Sequence, residues 1–251
     1  NKIGVQMCWR DYIWFLFAML GYMVFSGIAS GNVKSAISKH DKTRCRSGMT
    51  GYDTAARLMR ANGVTDISIG SVKGFLTDHY HPAKSIVNLS ESTYGNNSVA
   101  AVAVAAHEMG HVMQKKDGYG LYKIRTALVP VVNFGTRLSM PLVLVGLLLD
   151  WFSATADANT GFYIAMVGVI LYGGSLLFAL VTLPVELNAS HRAQKMLLAE
   201  GILTQDEIPA AKEVLSAAAL TYLASLMTSL VYFLRFLVRV LTMFGRRDNR
   251  R

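Results

Sequence analysis

The sequence predicts a mainly α-helical membrane protein carrying a small soluble α+β domain. Three observations lead there. Hydrophobic residues make up 52% of the 251 and charged residues only 16%, against about a quarter in soluble domains. Three to four segments are apolar over roughly the 20 residues a helix needs to cross a bilayer. Between the first two lies a stretch of ordinary soluble character, with cap residues and short alternating runs.

The same composition excludes a disordered chain, which needs low hydrophobicity and high charge. The two cysteines, Cys8 and Cys45, stand far apart and in no CxxC, so neither a disulfide framework nor a cysteine metal site is expected. The formal net charge of +9 implies contact with anionic membrane lipid. No recognition module for nucleic acid accompanies that charge, and no such partner is expected.

The first segment, residues 1–31, reads as an N-terminal membrane anchor centred on Tyr12 to Ser30, with Trp9, Tyr12 and Trp14 as interfacial aromatics. The small residues Ser26 to Ser30 would also suit a signal cleavage site, but the segment is read as retained. Lys34, Lys39, Lys42, Arg44 and Arg46 follow it, which places the downstream side in the cytoplasm.

Residues 32–125 form the soluble domain. Gly51 to Asn62 reads as an amphipathic helix between an N-cap at Thr50 and a C-cap at Gly63. Val64 to Val72 alternates as a strand, and two short strands, Phe75 to Tyr80 and Ser85 to Leu89, flank a turn at His81-Pro82. Asn97 or Ser98 caps an Ala/Val-rich helix that runs to Lys115 and stops at Asp117-Gly118.

Residues 126–183 read as a pair of spanning helices, Leu128 to Trp151 and Phe162 to Leu183. Asn133 and Arg137 share one face of the first, Arg137 as a snorkelling or intramembrane partner. The link holds Asp150 and Asp157 without Lys or Arg, as suits an outer loop. Residues 184–216 return to soluble character, with a helical run from Val185 to Leu198 opening after Pro184. Residues 217–251 are an apolar helix, Ala217 to Phe244, and a basic tail. A fourth crossing would send that tail outside, so a hairpin, an interfacial helix and a helix lying on the soluble domain stay open beside it.

The chemistry is concentrated in His107-Glu108-Met109-Gly110-His111, an HExxH sequence. Four residues apart on a helix, the two imidazoles lie on one face and reach a single zinc ion, while Glu108 can take a proton from a metal-bound water. About 0.003 random matches are expected in a chain of this composition. The competing reading is two histidines on a polar helix face. Catalytic zinc takes three protein ligands, and no HxxGxxH extension follows His111. Glu186, just past Pro184 at the membrane boundary, stands out among the six glutamates; a first-turn carboxylate answering the helix dipole is its alternative.

Long stretches around the motif carry a resemblance: Thr77 to Tyr80, Leu89-Ser90-Glu91, Val99 to His111, Arg125 to Gly135, and Leu183 to Glu186 with Ala189-Ser190. From about Thr50 through the last apolar segment, the chain resembles the YugP-type neutral zinc metallopeptidases of bacterial membranes. The resemblance implies a gluzincin-like, zincin-type soluble domain, distantly similar to the HtpX and CAAX-protease group. It implies one catalytic zinc held by His107, His111 and Glu186, with Glu108 as general base. It implies a protein or peptide substrate and a multi-pass place in the bacterial plasma membrane, the active site at the cytoplasmic face. The chain departs from the family at His81, where Asp is usual, and at His191, where Arg is. HtpX-like relatives carry Asp where this chain has Ser190, so another group must orient the histidines.

A transition-state stabiliser is expected among Arg192, His191 and His79, and the strand Ile86-Val87-Asn88-Leu89 is a candidate to pair with extended substrate. The function expected is a membrane-anchored zinc endopeptidase. A catalytically silent scaffold would have lost Glu108 or a ligand, and none is lost. A transporter would show paired ionisable groups in several spans, and the third has none.

Overall fold

In a computed structural model, residues 2–152 and 159–248 are described. Among these residues, seven helices and three strands follow in the order α1 (Lys2–Asp41), α2 (Gly51–Ala61), β1 (Ser68–Val72), β2 (His79–His81), β3 (Ile86–Ser90), α3 (Glu91–Tyr94), α4 (Val99–Lys116), α5 (Gly120–Phe152), α6 (Asn159–Ala199) and α7 (Ile208–Asp248). Four of them, α1, α5, α6 and α7, are long and apolar enough to cross a membrane. The fold is therefore mainly helical with one small sheet, as the composition predicts. The outer loop read at Asp157 and the tail end at Arg250 and Arg251 lie outside the described residues.

The chain divides into two compact units: residues 1–26, 124–182 and 223–251, and residues 27–123 and 183–222. In the first, glycines set the packing. A Cβ on Gly168 would lie 2.7 Å from the Ser139 carbonyl oxygen, and one on Gly146 would lie 2.5 Å from that of Gly161. Backbones approach closely there, as small residues allow in membrane helix pairs. Val143, Ala165, Val169 and Val240 form the buried cluster of this unit. Phe134, Leu148, Ile170 and Leu180 face outward, the surface expected of lipid-facing helices.

The second unit holds the sheet. Its strand order is β1-β3-β2, with β1 parallel and β2 antiparallel to β3. Thr50 caps α2 through a reciprocal box with Asp53, and Ser98 caps α4 by accepting from the Ala101 N–H; each satisfies an otherwise orphaned donor. Gly63 and Gly118, at φ 58° and 66°, supply the left-handed turn that ends each helix. The core gathers Leu58, Val87, Leu89, Val102, Met109, Leu197 and Leu203, all essentially inaccessible.

Three expectations change. The central strand is β3: Ile86, Val87 and Asn88 pair with β1 on one side and β2 on the other. Its ladder is filled on both sides over Ile86 to Asn88, while Leu89 and Ser90 pair with β1 alone among the described strands. The strand 86–89 is thus not open to an extended substrate. Pro184 opens no new helix, because α6 runs through it from Asn159 to Ala199; within a long helix the missing donor is tolerated where neighbours support the turn. The last apolar segment is one uninterrupted helix, α7, so the hairpin drops out.

Candidate metal centre

Helix α4 brings the motif to the core of the second unit. Val99 to Ala106 supplies mainly Ala and Val, and eighteen residues of helix follow the Ser98 cap. His107 and His111 project from one face, with ring centroids 4.8 Å apart and nearly perpendicular planes. His111 is buried, so the motif does not lie on a polar, solvated helix face.

Helix α6 presents the complementary face. Val185, Glu186, Ala189, Ser190, Ala193 and Leu197 recur at helical spacing and are all buried. Gly110 makes the contact possible: a Cβ there would lie 2.5 Å from the Ala189 carbonyl oxygen. The glycine inside HExxH is thus a packing requirement of α4 on α6. At this spacing Glu186 Oε2 lies 3.1 Å from His107 Nε2 and 3.3 Å from His111 Nε2. The three ligand atoms fall within 4.8 Å of one another.

Whether these groups suit a metal follows from hydrogen bonding on the far side of the rings. Gln114 Nε2 donates to the Val185 carbonyl at 2.8 Å and to Asn188 Oδ1 at 3.0 Å. Its Oε1 therefore faces His111 Nδ1, 2.9 Å away, as an acceptor, and Nδ1 must carry the proton. In the neutral ring Nε2 then bears a lone pair, aimed at a carboxylate oxygen. Lone pair against lone pair is repulsive unless a cation lies between them. His107 Nδ1 is held by Ser190 Oγ at 3.1 Å, four residues on from Glu186 and on the same face of α6. Two imidazoles and one carboxylate, converging in this way, fit the donor set of a three-ligand zinc site.

Glu108 is 7% exposed. Burial raises its carboxyl to about 7; His107 draws it down, while the carboxylates of Glu186 and Asp78 push it up. The Tyr80 N–H donates to Glu108 Oε2 at 2.8 Å and fixes the carboxyl's orientation. Asp78 is itself held by the Ser90 N–H and hydroxyl, each at 2.8 Å.

The expected transition-state stabilisers fare differently. His79 is exposed, with its ring nitrogens against the Thr77 carbonyl and the Asn88 amide. His191 is exposed on α6. Arg192 donates from Nε to Asn188 Oδ1 at 2.9 Å and pairs with Asp117. None of the three touches the ligand cluster among the contacts described. Arg192 instead ends a chain running through Asn188 and Gln114 to His111. Sequence reasoning missed Gln114; its signal was a glutamine three residues past the second histidine, on the same helix face.

The model of a family described as "Putative neutral zinc metallopeptidase" matches residues 14–241. The chain is also similar to the "Putative membrane protease YugP" of Bacillus subtilis (strain 168), 39% identical over 235 residues that cover 94% of this chain and 99% of the relative. No solved structure matches.

Proposed function

This chain belongs to the neutral zinc metallopeptidase family, and on that basis we propose that it is a membrane-anchored zinc endopeptidase with its centre at the cytoplasmic face. His107, His111 and Glu186 hold one zinc ion. When bound, the ion supplies a Lewis acid that polarises the scissile carbonyl and lowers the pKa of a water.

The chain's own residues do the rest. Gln114 and Ser190 hold the imidazoles so that both Nε2 atoms face Glu186. Glu108, positioned by the Tyr80 N–H, takes the proton of the attacking water and passes it to the leaving amine. The Glu108 carboxyl, held up by burial, is drawn down beside a bound zinc ion toward the ionised form that a general base needs. The substrate is a protein or peptide reached at the membrane surface, with lipid around the apolar helices.

One observation carries the reading: two Nε2 atoms and a buried carboxylate oxygen converge while both Nδ1 atoms are engaged elsewhere. The test is digestion of unfolded casein by detergent-purified protein, wild type beside Glu108→Gln, with zinc measured in both. Loss of hydrolysis by about 10²- to 10⁴-fold with zinc retained is expected. Equal proteolysis by both would remove Glu108 from the reaction, and none by the wild type would leave a silent scaffold.

A further inference from the structure

A cavity of about 220 Å³ opens beside the proposed base. Its lining includes His107 and Glu108. The rest of the lining is mainly aliphatic, with Val33 and Ile37 from α1, Leu76 from the β1–β2 loop, Val104 from α4, and Val214 and Ala218 from α7, and it also includes Thr221 and Tyr222. Among the described residues, no Lys or Arg lines it. Of its acidic groups, Asp78 has both carboxyl oxygens engaged by Ser90, and Glu108 belongs to the centre. Thr221 turns its hydroxyl back to the Ala218 carbonyl at 2.7 Å.

We infer that this cavity is the specificity pocket for the substrate residue beside the scissile bond, and that it selects an uncharged apolar side chain of about leucine size. This inference rests on the peptidase reading above. The cavity is smaller than the roughly 300–1,000 Å³ of sites that enclose a drug-sized ligand, so it suits one side chain rather than a whole small molecule. Position supports the same occupant. A peptide whose carbonyl lies between Glu108 and the histidines carries its neighbouring side chain to the mouth of this space. A charged side chain there would give up much of its hydration to a mainly alkyl lining, and an anionic one would also meet Asp78 and Glu108.

Leu76 strengthens the case. It holds φ 58° and follows Gly74 at φ 111°, a left-handed conformation that branched residues seldom adopt. Strained backbone of this kind persists where surrounding structure fixes it and clusters at ligand clamps. Here it turns an aliphatic side chain into the wall of the cavity.

The test is mass-spectrometric mapping of the bonds cut in unfolded casein by the zinc-loaded full chain. Wild type is expected to enrich Leu, Ile or Met at one position beside the cleaved bond. Ala218→Phe, which fills the cavity, should move that preference to Ala or Gly by about tenfold or more. Leu76→Ala, on an exposed loop, should move it toward Phe, and covers the case in which the larger substitution fails to fold. Enrichment of Lys, Arg, Asp or Glu at that position overturns the inference, as does a preference that neither variant alters. A parallel readout separates it from the peptidase reading: binding of Leu-, Asp- and Lys-containing tripeptide amides to the Glu108→Gln protein. If the wild type hydrolyses nothing yet the Leu amide binds tightest and loses affinity when Ala218→Phe is added, the apolar side-chain site stands, and its place beside a scissile bond falls with the peptidase reading. If the wild type hydrolyses without side-chain preference, the peptidase reading stands and the pocket falls. A flat response in both readouts overturns both.

Discussion

The two units of this chain are built from similar apolar residues but spend them differently. In the unit of residues 1–26, 124–182 and 223–251, small residues meet at backbones while Phe134, Leu148 and Ile170 face outward. In the unit of residues 27–123 and 183–222, Leu58, Val87 and Met109 face inward, and polar groups lie buried among them, Gln114 and Glu186 at 0% and 1% exposure. Apolar residues turned outward suit lipid. Polar residues turned inward are costly unless every group has a partner. Function belongs where that cost is carried.

The largest effect expected from disturbing this contrast is at Glu186. Glu186→Gln removes the charge on which both imidazoles converge, and zinc affinity is expected to fall by more than about 100-fold, beyond the range of outer-shell changes. Zinc analysis after dialysis against a weak chelator reads this directly. Retention of one zinc per chain would exclude Glu186 as a ligand.

A matched pair of glycine substitutions asks the same question of each unit. Gly110→Ala and Gly146→Ala each place a Cβ 2.5 Å from a carbonyl oxygen, one in each unit. Both should lower thermal stability, by about 1–3 kcal/mol for overpacking. Only Gly110→Ala should also weaken zinc binding, because it separates the helix of the histidines from that of Glu186. Weakened zinc binding in both variants would mean that the metal centre is not confined to the second unit.

Gln114→Leu probes the buried polar chain by itself. The substitution keeps approximate volume but leaves His111 Nδ1 without its acceptor and the Val185 carbonyl without its donor. Zinc affinity should fall about 10- to 100-fold, measured by chelator competition, with the protein still folded. An unchanged affinity would show that His111 does not depend on Gln114 for its tautomer.

Much of this was legible in advance, and the reasons differ by element. Caps announce themselves chemically, and Thr50, Ser98, Gly63 and Gly118 mark helix ends as read. The HExxH pair is a statement about helical spacing, so it needs no tertiary knowledge. What stayed hidden depends on partners distant in sequence. Nothing local says that β3 is paired on both sides, or that α6 continues through Pro184. Likewise Ser190 and Gln114 become orienting groups only once α4 and α6 lie against each other, and the sequence at Ser190 suggested only a missing carboxylate.

The smallest effects separate two neighbours that the sequence could not tell apart. His191 and Arg192 both follow Glu186 by about one and a half turns, and both are candidates to steady the transition state. On α6 they diverge: His191 is exposed, while Arg192 reaches Asn188 and Asp117. The Arg192–Asp117 pair is partly solvated, with side chains 27% and 45% exposed, so its own contribution is small, about 0–1 kcal/mol. Its larger consequence is to hold Asn188, which holds Gln114. Arg192→Ala should therefore weaken zinc binding a few-fold, less than about tenfold, and lower the unfolding temperature slightly. His191→Ala should change hydrolysis less than twofold and leave zinc and stability as they were, since about 0.5 kcal/mol bounds most surface substitutions. Were His191→Ala to cost tenfold in hydrolysis with zinc and stability intact, exposure would have misjudged it, and a group on the solvated face of α6 would have to reach the substrate.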